Sequence, residues 1–480
     1  MMYEYGNLIS GQWVPAGGSE FLTHNPARPK EFVGRYTAAS DAQLAAAGKA
    51  AAEAQREWRS TASVERGAIY GRVVSAVESR AEEIARSITL EQGKPLAEAR
   101  GEVAKSCAEA RFMIGEASRG HSEVLPSARP GIKNMVVRRP RGVIAAITPW
   151  NFPILTPMRK ISPAIVFGNA IILKPSEFTP AAACLIADCA RGILPDGLLQ
   201  IVQGDGRVGA RLAGHPGVSG ITFTGSVATG KKIYAIAAQR LAAISLELGG
   251  KNAAVVNDTD DLNACLDQIT AAAYMCSGQR CTAVSRVIVK RPLLGDVIDG
   301  LVARCKKIAL GDGLLTGVTM GPLTNASQLA RVDAMVRKGV GEGARAVVGA
   351  APAQVMGLEG GYFYAPTVLV DVAPEMSVAK EEIFGPVIVV LAYDSLDEAM
   401  AVLNGVAYGL TSALFSNDNR VIQHFVDESE NGMIHVNHGT IPDNHMPFGG
   451  IKSSGVGAYS VGSSTVNFYT TEHSVYIKHR

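Results

Sequence analysis

The spacing of apolar residues along the chain changes once, near residue 135, and the two periods predict different elements. From residue 40 up to that point the pattern is helical. Residues 40–58 form an alanine-rich amphipathic segment in which Ser40 and Gln43 stand at capping-box spacing. Two more helical patterns cover roughly 63–93 and 95–119. After Met135, short apolar runs take over. Residues 136–139 and 143–147 read as strands. Strands at 170–173, 199–202, 220–223 and 243–247 then alternate with helices over 180–192, 207–214 and 227–238. Apolar strands separated by helices predict a parallel, doubly wound α/β sheet, which binds nucleotides at the carboxyl ends of its strands.

A second alternating block follows from 253 to 440. Its strands are predicted at 253–256, 285–289, 346–348, 387–391, 411–414 and 432–436, with a Gly/Pro-rich loop over 349–366. Residues 465–469 and 474–477 read as strands that come too late to build a core. They are expected to pair with an edge, on this chain or on another subunit.

A chain of 480 residues is too long for one core, so about three domain-sized units are expected. The formal net charge is +2, and the basic cluster Arg138-Arg139-Pro140-Arg141 is too short for a nucleic-acid footprint. The seven cysteines are odd in number and follow no disulfide framework, which points to a reducing cytoplasm. Residues 1–13 lack a signal-peptide pattern. The longest apolar stretch, 142–158, holds three prolines and Asn151, so it is not expected to span a membrane.

Several polar residues sit where chemistry is expected. Cys281 lies in the small, glycine-containing loop Ser277-Gly278-Gln279-Arg280-Cys281, after a segment that packs as a helix. Glu247 closes a predicted strand before Leu248-Gly249-Gly250-Lys251. A thiol and a carboxylate in such turns read as nucleophile and base. Asn151, between the prolines of Pro149-Trp150-Asn151-Phe152-Pro153, is an amide able to donate to an oxyanion, or to satisfy local backbone instead. Lys174 and Glu177 end a strand, where ribose hydroxyls would lie. Gly225 admits a ligand close to the backbone, and Ser226 can cap the helix that follows and leave its N–H groups to an anion. The Gly204–Gly209 segment matches G-x-G-x-x-G but lacks the acidic residue expected downstream, so a plain strand-to-helix turn competes with a phosphate role. His435, His438 and His445 match no metal-ligand spacing, and no metal is expected.

Seven motifs in order complete the picture: Pro149-Trp150-Asn151-Phe152-Pro153, Lys174-Pro175-Ser176-Glu177, Phe223-Thr224-Gly225-Ser226, Glu247-Leu248-Gly249-Gly250-Lys251, Gly278-Gln279-Arg280-Cys281, Glu382-Ile383-Phe384-Gly385-Pro386 and Pro447-Phe448-Gly449-Gly450. Together, over nearly the whole chain, they resemble the NAD(P)-dependent aldehyde dehydrogenase superfamily. The resemblance implies a Rossmann-like cofactor domain over 1–120 and 141–247 and a catalytic domain over 248–446. It also implies a small β oligomerisation segment over 121–140 and 447–480, and a homodimer or homotetramer.

It further implies that Cys281 attacks an aldehyde, that Asn151 and the Cys281 N–H hold the oxyanion, and that Glu247 activates the hydrolytic water. Lys174, Glu177, Gly225, Ser226, Glu382, Phe384 and Trp150 are then the cofactor contacts. Glu177 would repel a 2′-phosphate, so NAD is the expected cofactor and NADP the less favoured one. Retention of Glu247 argues against a CoA-acylating or non-catalytic relative.

Arg159 resembles a carboxylate contact of succinate-semialdehyde dehydrogenases, whereas Met275 replaces their second arginine. Phe152, Arg280 and His438 complete the expected substrate set. A semialdehyde with a carboxylate tail is one expectation, and a neutral aliphatic or aromatic aldehyde is the alternative. Cys276 departs from the family, whose members usually carry Asn there; it is either a packing group or a second thiol able to pair with Cys281.

Overall fold

The computed structural model describes residues 2–15 and 17–478. Two mainly parallel sheets organise them. The first has eight strands. Five of these run parallel, in the order Ala243–Glu247, Gly220–Thr224, Val143–Ile147, Ala170–Lys174 and Leu199–Ile201. Val143–Ile147 and Ala170–Lys174 are buried at every residue, as strands covered on both faces must be. The sheet is closed at one end by Gly455–Val456 and at the other by Asn7–Ile9 and Gln12–Val14, all antiparallel to their neighbours. The N-terminal strands are too short, and too polar at Asn7 and Gln12, to register as an apolar period.

The second sheet has seven strands, with Val387–Tyr393, Arg286–Lys290, Ala253–Val256, Thr411–Phe415 and Met433–Val436 parallel in that order. The strand Thr367–Val370 joins them after the Gly/Pro-rich loop and was not read from the sequence. A third sheet is antiparallel: Thr470–Lys478 pairs along the length of Ile132–Pro140, which also pairs with Glu123–Leu125.

The helical reading of residues 40–119 holds, with one break, whereas the described residues of 3–37 form five strands that were not read from the sequence. Ser40 caps the helix Asp41–Trp58, and its hydroxyl and the Gln43 side chain form the expected reciprocal capping box. The long pattern over 63–93 is two helices, Ser63–Ser79 and Ala81–Gln92, divided at Arg80. The apolar period carries through the break, from Val77 to Ile84, so periodicity alone cannot reveal it.

At the other end, residues 465–469 are not a strand. A 3₁₀ turn at Ser463–Thr465 leads into the short helix Val466–Tyr469. Phe468 and Tyr469 are both buried, which adjacent residues of a one-sided strand cannot be. The Thr470 hydroxyl closes this helix by donating to Val466 O at 2.6 Å.

Candidate active site

The carboxyl ends of the first sheet and the loops of the second share one cavity of about 600 Å³. Strand Val143–Ile147 delivers Trp150, Asn151 and Phe152 to it. Gly220–Thr224 delivers Gly225 and Ser226, and Ala243–Glu247 ends in Glu247 itself. From the second half come Cys281, Arg280, Met275, Glu382 and Phe384.

The loop carrying Cys281 is built on strained backbone. Helix Leu262–Tyr274 ends where Tyr274 donates from its hydroxyl to Thr367 O at 3.0 Å. Cys276 and Ser277 then both adopt φ +56° and Gly278 φ +69°. Left-handed backbone at two consecutive non-glycine residues costs energy and persists only where neighbours enforce it. Glu98 accepts from the Cys276 N–H at 2.8 Å, and the buried Gln279 amide donates to Cys276 O at 3.1 Å while accepting from Thr324 N at 3.0 Å. Asn252 donates to Cys281 O at 2.7 Å and to Ala283 O at 2.8 Å. A Cβ at Gly278 would lie 2.1 Å from Gly385 O, so only glycine fits this position. The Cys276 thiol is buried and lies 3.7 Å from Asn151 O.

Electrostatics separate the two reactive groups. Burial pushes the Cys281 thiol up to about 11, while Arg159 draws it back. Burial also pushes the Glu247 carboxyl up to about 8, against the opposing pull of Lys160 and Arg159. Glu247 Oε2 is buried with no protein hydrogen-bond partner. Beneath it, Lys160 donates to Thr222 Oγ1 at 2.8 Å, and burial draws its ammonium down to about 7. A carboxyl raised to about 8, in the cavity that also holds the thiol, can take up a proton at working pH. The Asn151 amide donates to Gln279 O at 2.9 Å, which ties it to the loop carrying Cys281.

At the other end of the cavity Ser226 caps helix Val227–Ala238, accepting from Thr229 N at 3.3 Å, so the helix N-terminus opens to the space. Trp150 and Phe384 meet edge to face at 5.5 Å between ring centres. Phe384 holds φ +59°, and its carbonyl accepts from Gln328 at 2.7 Å. Glu382 accepts from Gly250 N at 3.1 Å.

Lys174 and Glu177 lie outside the cavity lining, in the next turn along, and form an ion pair at 3.6 Å. The Lys174 ammonium donates to Gly204 O at 2.5 Å and Pro175 O at 2.8 Å. Gly204–Gly209 is a strand-to-helix turn capped by Asp205, and it does not line the cavity.

The substrate residues separate more sharply. Phe152, Arg159, Met275 and Arg280 line the cavity, and His438 does not. His438 is exposed and packs against His435 at 4.7 Å. Arg159 makes a two-point ion pair with Glu109, at 2.6 and 2.7 Å, and stacks over Phe448 at 4.4 Å. Arg280 donates to Thr282 Oγ1 at 3.2 Å and to Met275 Sδ at 3.6 Å, and it also feels the charge of the Glu98 carboxylate. Among the described residues, no group of three His, Cys, Asp or Glu could hold a metal, and no helix is long and apolar enough to cross a membrane.

One contributor escaped the sequence reading. Helix Leu96–Glu116 sends Glu98, Glu102 and Lys105 to the cavity and Glu109 to Arg159. Their spacing of four, three and four residues is a single helical face. Charged residues on the buried face of a helix were the available signal.

The model of the aldehyde dehydrogenase family matches residues 13–475 of this chain. An α-ketoglutaric semialdehyde dehydrogenase of Bacillus subtilis is 36% identical over 478 residues, 99% of this chain and 98% of that protein. A glutarate-semialdehyde dehydrogenase of Pseudomonas aeruginosa is also 36% identical, over 94% of this chain and 92% of its own length. Among solved structures, lactaldehyde dehydrogenase from Escherichia coli superposes with a TM-score of 0.96 at 34% identity, covering 100% of both chains. A point mutant of betaine aldehyde dehydrogenase from Staphylococcus aureus, in complex with NAD+, gives 0.96 at 29% identity, over 99% of this chain and 97% of that one.

Proposed function

The chain belongs to the aldehyde dehydrogenase family, and we propose that it oxidises a carboxylate-bearing semialdehyde, with Cys281 as nucleophile and NAD as the preferred cofactor. As an NAD(P)-dependent enzyme it converts an aldehyde to a carboxylic acid. The observation that carries the assignment of roles is the Glu247 carboxyl, pushed up to about 8 in the cavity it shares with Cys281.

The residues perform the reaction in two halves. The Cys281 thiol gives its proton to water in the cavity and its sulfur bonds to the aldehyde carbon as the C=O π pair moves to oxygen, giving a thiohemiacetal whose oxyanion is held by the Asn151 amide. The residues at the Ser226 end suit a dinucleotide. An open helix N-terminus would hold the pyrophosphate, Glu382 the hydroxyls of one ribose, and Trp150 and Phe384 the ring, while Glu177, in the turn outside the cavity lining, would take the other ribose. Bound there, the cofactor supplies the acceptor for the hydride lost from the substrate carbon. Collapse of the thiohemiacetal leaves a thioester on Cys281. Glu247 takes a proton from water, the hydroxide adds to the thioester carbon, and the Cys281 thiolate leaves as the acid forms.

Substrate charge is read from Arg280. Arg159 is held at two points by Glu109, whereas Arg280 lines the cavity with no carboxylate hydrogen-bonded to it, Glu98 acting on it only through its charge, and is the guanidinium placed to meet a substrate carboxylate. The names of relatives that act on α-ketoglutaric and glutarate semialdehydes agree with an anionic tail. A panel of succinate semialdehyde, glutarate semialdehyde and butanal tests this. The semialdehydes are expected to lead in kcat/KM by at least about tenfold; parity with butanal would rule out the anionic pocket. We also infer a homodimer or homotetramer built through the antiparallel third sheet, and a reducing cytoplasm, since all seven cysteines are free.

A further inference from the structure

The loop preceding helix Leu96–Glu116 and the first turns of that helix carry a buried ion pair that the reaction scheme does not use. Lys94 and Glu102 meet at 2.6 Å, and each side chain is 1% exposed. A buried pair of this kind stabilises a fold weakly, because desolvation offsets most of the attraction. Its hydrogen bonds therefore indicate what it does. The Lys94 ammonium donates to Asn151 O at 2.8 Å and lies over the Phe152 ring at 4.1 Å. The other oxygen of Glu102 accepts from the N–H groups of Ile154 and Leu155, at 3.1 and 3.2 Å. Residues 151–155 are thus gripped on both sides of Pro153, a residue with no N–H of its own.

The grip fixes how Asn151 can act. Its side-chain amide has two N–H donors. One is committed to Gln279 O at 2.9 Å, in the loop that carries Cys281. Holding the main-chain carbonyl as well leaves the side chain little freedom, so the second N–H has a set direction. Glu98, one turn before Glu102, holds the Cys276 N–H at 2.8 Å and so pins the opposite side of the same loop. One helix therefore references both the amide and the thiol to a common frame.

We propose that the Lys94–Glu102 pair is a positioning device for the Asn151 amide, acting on the rate of thiohemiacetal formation through that residue. The proposal rests on the oxyanion role assigned to Asn151 above. The test is a double-mutant cycle between Asn151→Ala and the paired replacement Lys94→Met with Glu102→Leu, which removes both charges together and leaves neither buried alone. Single-turnover NADH formation and the Kd for NADH are measured for each.

Removal of an oxyanion donor costs about 10²–10³ in rate, so Asn151→Ala is expected in that range. The paired replacement is expected to lose about tenfold or more through misplacement, with the Kd for NADH unchanged. In the Asn151→Ala background the paired replacement is expected to cost nothing further. Full additivity, or a loss that appears only in NADH binding, would overturn the positioning role. If Asn151→Ala itself left the rate intact, the oxyanion assignment would fail instead. Should the paired replacement not fold, Lys94→Arg, which keeps the charge but relocates the donors, carries the same cycle with the same outcomes.

Discussion

In the proposed mechanism two side chains that line the cavity, Cys281 and Glu247, carry the chemistry, and their environments set when they can act. Glu247 must be ionised to accept a proton, and burial holds it protonated up to about pH 8. The rate of thioester hydrolysis should therefore rise with pH through neutrality and level off above about 8, as measured by kcat against pH. A kcat that is flat from pH 6 to 9 would show that hydrolysis does not limit turnover or that Glu247 is not the base.

The same group affects stability with a defined sign. Its folded-state pKa is raised, so its contribution is fully present below the ordinary carboxylate range and is lost as pH rises through about 8. Glu247→Gln should melt higher than wild type at pH 9, with the difference vanishing near pH 4, by calorimetry at both values. Cys281 and Glu247 were legible in the sequence because each sits in a short motif of small residues. What neutralises Arg159 was not, because Glu109 lies 50 residues away on a different helix.

At the scale of elements, helix Leu96–Glu116 and the loop before Cys281 govern the site. The helix itself was read from its period, but its role was hidden because charged residues on a helix usually face water. Here Glu98, Glu102 and Glu109 face inward and hold a loop, a helix start and an arginine. Glu109→Gln should release Arg159 to the cavity and raise kcat/KM for succinate semialdehyde relative to butanal. An unchanged ratio would mean that Arg159 does not reach the substrate.

The loop is held in a conformation that only its contacts justify. Gly278→Ala adds a Cβ 2.1 Å from Gly385 O on left-handed backbone. It should cost at least about 1–3 kcal/mol in stability, and chemical denaturation would register it. The glycine was visible in the sequence. The close approach of Gly385, which makes glycine necessary, is a tertiary fact between residues more than 100 positions apart.

For the molecule as a whole, the alternation of strands and helices was enough to predict the doubly wound sheet, since fully buried parallel strands must be apolar throughout. The edges were not legible. Asn7–Ile9 and Gln12–Val14 join the first sheet at its far end, and Gly455–Val456 caps the other, through short segments with no period of their own.

The antiparallel third sheet leaves Val124 and Leu125 exposed, at 65% and 44%, along its short outer strand. An apolar edge of this kind invites pairing. Val124→Lys with Leu125→Lys should lower the assembly's mass in light scattering after size exclusion, without loss of the far-ultraviolet helical signal. An unchanged mass would place the subunit contact elsewhere.

The central claim is that the substrate passes through a thioester on Cys281 that Glu247 then resolves. Glu247→Gln should preserve the first half and stall the second. Mixed with NAD and a semialdehyde, this variant should release up to one NADH per active site in a burst, while steady turnover falls by about 10²–10⁴. Acid quenching and peptide mass analysis should then find the acyl group on the peptide carrying Cys281. A variant that turns over at the wild-type rate, or a burst with the acyl group on any other residue, would contradict the account.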